Sequence, residues 1–83
     1  MPPSRFHLAP YSLTFAADDH QRNRWTLAAY IAAIDAGGQL NHQTHQAAIL
    51  EGRRLDAETG FRWWVLDTAG KLDATPASGS AIA

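Results

Sequence analysis

Between residues 18 and 36 apolar side chains recur at helical spacing on two opposite faces rather than one. At about 100° per residue, Leu27, Tyr30, Ile31 and Ile34 form one stripe, the pattern of a core-facing helix. Trp25, Ala29, Ala32 and Ala36 fall nearly opposite, with Ala28 and Ala33 on the shoulders. Arg22, Arg24 and Asp35 are confined to narrow strips between the two. Asp18 and Asp19 supply capping groups and negative charge at the helix start, and Gly37-Gly38 ends it. A helix that is apolar on both sides needs cover on both sides. The expectation is that the Leu27/Tyr30/Ile31/Ile34 stripe faces the chain's own sheet. The Trp25/Ala29/Ala32/Ala36 row then requires a second layer or another chain. Alanine alone in such a row is explained by helix propensity; the indole of Trp25 in the same row is what points to a contact surface.

Elsewhere the period changes to two. Residues 1–10 read as a loose leader, with 6–10 able to extend and Pro10 suited only to a strand start or edge. Over residues 11–15, Tyr11, Leu13 and Phe15 alternate with Ser12 and Thr14, predicting a first strand covered on one face. Asn41 is a plausible cap for a short second helix over about residues 42–50, placing His42, His45, Gln46, Ile49 and Leu50 on one face. A strand beginning at Ile49 is the alternative. Strand-type residues at 52–55 and 61–66 flank a five-residue connection ending in Gly60, which predicts a β-hairpin. Within it Leu55 would face Phe61, Arg54 would oppose Arg62, and Arg53 could stack on Trp63. Trp63 and Val65 share one face with Phe61, and Trp64 and Leu66 the other, so that strand reads as central or covered by a partner. Residues 67–71 read as a turn with Gly70 at positive φ, Leu72 as the start of a short last strand, and 73–83 as a frayed tail.

The expected fold is therefore a single small α+β domain over residues 11–72 in the order β-α-α-β-β, its antiparallel sheet packed on one long helix. At 83 residues the core is small, and sixteen alanines leave few larger side chains to fill it. Dimerisation would enlarge it. The absence of cysteine excludes disulfides and thiolate zinc sites and fits a reducing, cytoplasmic setting. No apolar run approaches a membrane span and no signal-peptide pattern is visible. The alanine-rich, cysteine-free make-up is of the kind found in small bacterial accessory proteins.

Candidate chemistry is sparse. His42 and His45 lie one helical turn apart, a spacing able to clasp a metal given a third ligand such as His7 or His20, but the His-Glu-x-x-His arrangement of zincins is missing. No serine has an evident base, the carboxylates sit at a cap and a turn, and Gly37-Gly38 lies where the helix dipole repels phosphate. No catalytic, metal or cofactor site is therefore expected.

Helix, turn, helix and hairpin over residues 25–66 resemble the order of phage excisionases and related small wing-bearing domains. That resemblance implies DNA binding, with Asn41, Gln43, Thr44 and Gln46 reading bases from the helix at 41–46 and Arg53, Arg54 and Arg62 holding phosphates from a wing at 53–62. The reader helix has no Lys or Arg, the wing tip carries Asp56 and Glu58, and the net charge is −1, all of which disfavour DNA. The leading expectation is a non-enzymatic homodimeric or protein-binding module, with Trp25, Ala29, Ala32, Ala36, Trp63 and Trp64 at its contact surface.

Overall fold

The structure is a computed structural model and describes residues 4–11 and 19–78. Strand β1 (Phe6–Pro10) is followed by helix α1 (Asp19–Asp35), strand β2 (Asn41–His42), helix α2 (His45–Thr59), and strands β3 (Trp63–Asp67) and β4 (Thr75–Pro76). The sheet order is β2-β1-β3-β4 and every neighbouring pair is antiparallel. Leu8 stands opposite Val65, Ala9 opposite Trp64, and Pro10 opposite Trp63. Alternation does the rest: Phe6 and Leu8 join Trp63 and Val65 on the buried face, and His7, Ala9, Trp64 and Leu66 are half-buried on the other. The buried face meets Ala29 and Ala33 of α1 and Ala48 and Leu55 of α2 in one hydrophobic core. The protein is thus an α+β domain with two helices on one side of a four-stranded antiparallel sheet.

Helix α2 is set by local signals at both ends. Thr44 is its N-cap, with Oγ1 accepting from the Ala47 amide at 3.2 Å. Gly60 closes it in the left-handed region at φ 74, its amide donating to the Asp56 carbonyl. Glu51, Arg54 and Glu58, spaced three and four apart, form ion pairs along one side. Ala48, Gly52 and Leu55, spaced four and three, are the buried residues. Gly52 lets the helix backbone come down onto the sheet: a methyl at that position would run into the Cβ of Ala77 and lie 2.9 Å from Leu8 Cδ2.

Helix α1 ends in a Schellman motif. The Gly38 amide donates to the Ala33 carbonyl at 2.8 Å and the Gly37 amide to that of Ile34 at 3.0 Å, with Gly37 at φ 68. The buried residues of α1 are Ala29 and Ala33. Tyr30 sets its ring edge-on to Trp63 at 5.8 Å, and Trp25 does the same to Phe61 at 5.6 Å.

Asp67, at the end of β3, ties the start of the described chain to the β3–β4 turn. Its carboxylate accepts two 2.9 Å hydrogen bonds from Arg5 and further ones from the amides of Ala69, Lys71 and Leu72. Thr68 returns its amide and hydroxyl to the Arg5 carbonyl. The turn needs a left-handed residue, and Gly70 supplies it at φ 70, as the sequence predicts. The Arg5 guanidinium and the turn amides hold the Asp67 carboxyl far below the usual carboxylate range. Arg54 in the same way lowers Glu51.

Several sequence expectations are corrected. The first described strand is Phe6–Pro10, inside the supposed leader; its Phe6/Leu8 alternation is short but sits beside the apolar β3. Of the strand expected at 11–15, Tyr11 follows β1, and residues 12–15 lie outside the described ones, as does Asp18. The hairpin at 52–66 does not form, because 52–59 belong to α2 and Gly60 is a helix cap rather than a hairpin turn. Asn41 and His42 form a short strand rather than a helix start. The order is therefore β-α-β-α-β-β. The last strand starts at Thr75 rather than Leu72, which is exposed. The supposed tail supplies the wholly buried Ala77, whose amide bonds to the Trp63 carbonyl.

Gly52→Ala gains about 1 kcal/mol of helix propensity and loses more to overpacking against Ala77 and Leu8, so chemical denaturation should show a net destabilisation of about 1–2 kcal/mol. A depressed carboxyl stabilises the fold fully above its unfolded pKa, and that contribution is lost as pH falls toward the folded value. The melting temperature should therefore drop between about pH 5 and about pH 2, and less steeply in Asp67→Asn, when followed by circular dichroism.

Candidate functional site: the outward face of helix α1

The two faces of α1 are used in the opposite sense to that expected. Ala29 and Ala33 are completely buried, whereas Leu27, Ile31 and Ile34 are 61%, 50% and 69% exposed. Close packing explains the inversion. Trp63, fully enclosed, already fills much of the space between the layers, and small side chains on α1 let the helix approach where Leu and Ile would force it away. Of the larger stripe only Tyr30, at its margin, reaches the core.

On a helical projection, Ile31 lies centrally in the outward face, with Leu27 and Ile34 about 40° and 60° to one side. Arg24 and Asp35 lie about 20° and 40° to the other side, at opposite ends of the helix. Both are exposed, and neither makes an ion pair with a described residue. Ala28, exposed on the same flank as those two charges, keeps it low midway between them. The outcome is an aliphatic row spaced four and three, bordered by one cation and one anion.

Of the residues first expected at the contact surface, Trp63 and Ala29 are enclosed in the core and the other four are half-buried. Trp63 is sealed in the core; its Nε1 donates to Thr59 Oγ1 at 3.1 Å and its amide to Asp56 Oδ1 at 2.7 Å. Ala29 is buried, and Trp25, Ala32 and Ala36 are half-buried within the chain. Trp64 is half-buried on the far face of the sheet, its ring 4.5 Å from that of Tyr11.

The excisionase-like elements do not assemble. Asn41 is in β2, Thr44 is spent on capping α2, and Gln43 precedes the helix rather than sitting on it, while Gln46 lies in its first turn. Arg53 and Arg54 belong to α2. Arg53 donates to the Ala77 carbonyl instead of stacking on Trp63, and Arg54 is held by Glu51, Glu58 and the Ala36 carbonyl instead of opposing Arg62. Arg62 is exposed beside an open cleft of about 310 Å³ lined by Arg53, Asp56, Phe61 and Ser78. The carboxylate there is occupied, one oxygen by the Trp63 amide and the other by the Ser78 hydroxyl, so it works as a tie between α2, β3 and the residues after β4.

The two histidines also have other duties. His42 Nε2 lies 2.7 Å from the Gln39 carbonyl, and His45 Nε2 lies 3.2 Å from Thr75 Oγ1 with its ring edge on Phe6. Among the described residues no group of three or more His, Cys, Asp or Glu side chains is placed to hold a metal ion. No described helix is long and apolar enough to cross a membrane. No protein-family model, curated protein or solved structure matches the chain.

The signal missed in the sequence was polar, not apolar. His20, Arg24 and Asp35 all project within about 40° of Ile31, which marks that side as the outward one. The assignment is checked by paired substitutions. Ala33→Glu places a charge in the core and should abolish the cooperative melt, whereas Ile31→Glu should leave the melting temperature within a few degrees of the parent at low protein concentration.

Proposed function

We propose that the protein is a non-enzymatic protein-binding module of the cytoplasm whose working surface is the outward face of α1. The observation that carries this reading is the Leu27/Ile31/Ile34 row, three large aliphatic side chains half or more exposed on one face of one helix. Scattered exposed leucines are ordinary on a protein surface, but a row at helical spacing is the form taken by helix-docking surfaces. Covering the three side chains is worth roughly 1–1.5 kcal/mol each, enough to drive a modest association. The polar clusters elsewhere support the same reading, since Asp67, Asp56 and Arg54 are engaged in holding elements of the fold together. The excisionase-like wing at 53–62 is replaced by the C-terminal part of α2 and its Gly60 cap, and only Gln46 of the expected base readers lies on that helix.

Site-specific photo-cross-linking tests the surface without assuming who the partner is. A benzophenone side chain at Ile31 or Ile34, in the chain expressed in its own cells, should give one discrete covalent adduct. The same group at Lys71, exposed on the β3–β4 turn, should give none. Absence of an adduct at both α1 positions, or equal labelling at Lys71, would overturn the proposal.

A further inference from the structure

Resting on that reading of α1, we infer that the occupant of its outward face is a second copy of this chain, with the two α1 helices packed antiparallel about a two-fold axis level with Ala29. Charge placement carries the inference. Arg24 and Asp35 lie on the same flank of the aliphatic row, eleven residues or about 16 Å apart along the axis, too far to pair within one helix. In an antiparallel pair like flanks face each other. Arg24 of each copy is then brought to Asp35 of the other, and one symmetry operation makes both ion pairs. A parallel pair would set the charged flank of each copy against the aliphatic flank of the other, leaving Arg24 and Asp35 without an opposite charge to meet.

The apolar spacing fits the same register. With Leu27 of one copy level with Ile31 of the other, the four-three spacing stacks two Leu27–Ile31 layers at the centre. Each end is then closed by Ile34 lying against the aliphatic stem of Arg24 from the second copy. The exposed Ala28, on the flank carrying the two charges, allows the helices to approach closely there. Antiparallel helix dipoles add to the preference. Pairing through the sheet is less suited, because both edge strands are two residues long and Pro76 has no amide hydrogen to offer. A pair of 17-residue helices makes a small interface, so the dimer is weak and concentration-dependent.

Sedimentation equilibrium of the full chain, with circular dichroism to confirm folding, provides the test. The wild type should pass from monomer to dimer as concentration rises, and Ile31→Glu should remain monomeric throughout. Arg24→Glu alone and Asp35→Arg alone should each weaken association at least tenfold, since each sets like charges against each other. The double variant R24E/D35R should return to within about threefold of the wild type, because reversal restores both pairs. A wild type that stays monomeric at every concentration overturns the self-pairing. If the Ile31 cross-link then joins a different protein, the contact-surface reading survives and only the second copy is wrong. If it joins nothing, both fall. A dimer that Ile31→Glu leaves intact, or one broken by the single charge reversals and not rescued by the double, overturns the antiparallel α1 pairing.

Discussion

Trp63 has the largest side chain in the core and is wholly enclosed, which constrains every element around it. An indole in a dry interior must find an acceptor for its N–H, and here Thr59, in the last turn of α2, provides it. The Thr59 hydroxyl in turn donates to the Leu55 carbonyl, so the acceptor is itself held in place. The Trp63 amide is fixed by Asp56, and its carbonyl by the amide of Ala77. One residue therefore connects the end of α2, the start of β3 and the return of the chain at β4. The space left beside it is what small residues must fill. That requirement falls on Ala29 and Ala33 of α1 and on Ala48 and Gly52 of α2.

This large-against-small packing explains the most unusual feature of the surface. A helix with aliphatic residues on one side and alanines on the other ordinarily buries the larger side chains, because each removes more apolar area from water. Here the core already contains Trp63, Leu8, Leu55 and Val65, and the helix fits only with its alanine side inward. The aliphatic row is left outside as a consequence of volume, not of hydrophobicity. Its exposure is energetically unfavourable in isolation, which is the ground for proposing a partner there. In the proposed pair the bordering Arg24 and Asp35 set orientation, since charges at an interface margin contribute more to register than to affinity.

At the other end of the sheet, five hydrogen bonds converge on the Asp67 carboxylate, whose side chain is only 1% exposed. A buried carboxylate is expensive unless its oxygens are satisfied, and the Arg5 fork and three amides satisfy them. The same contacts recruit the residues ahead of β1 into the fold, which makes a central strand of a stretch whose composition suggests a loose leader. The β3–β4 connection is shaped by this one side chain together with the left-handed Gly70.

The amino-acid sequence by itself determined the elements whose signals are local. The long helix is bounded by Gly37-Gly38, the turn at Gly70 follows from its neighbours, and the alternation of Trp63 to Leu66 marks a strand apolar on both sides. The α+β class with an antiparallel sheet was legible too, although it was reached through a hairpin over 52–66 that does not form. It also specified that α1 has two apolar faces. Signals that depend on partners far along the chain were misleading. Gly52 reads as the start of a hairpin strand until Leu8 and Ala77 are seen against it, and Gly60 reads as a hairpin turn until the helix it caps is recognised. Which face of α1 turns inward was the tertiary structure's decision, because it depends on how much room Trp63 leaves, and volume in a packed interior is a property of the assembled layers rather than of any one segment.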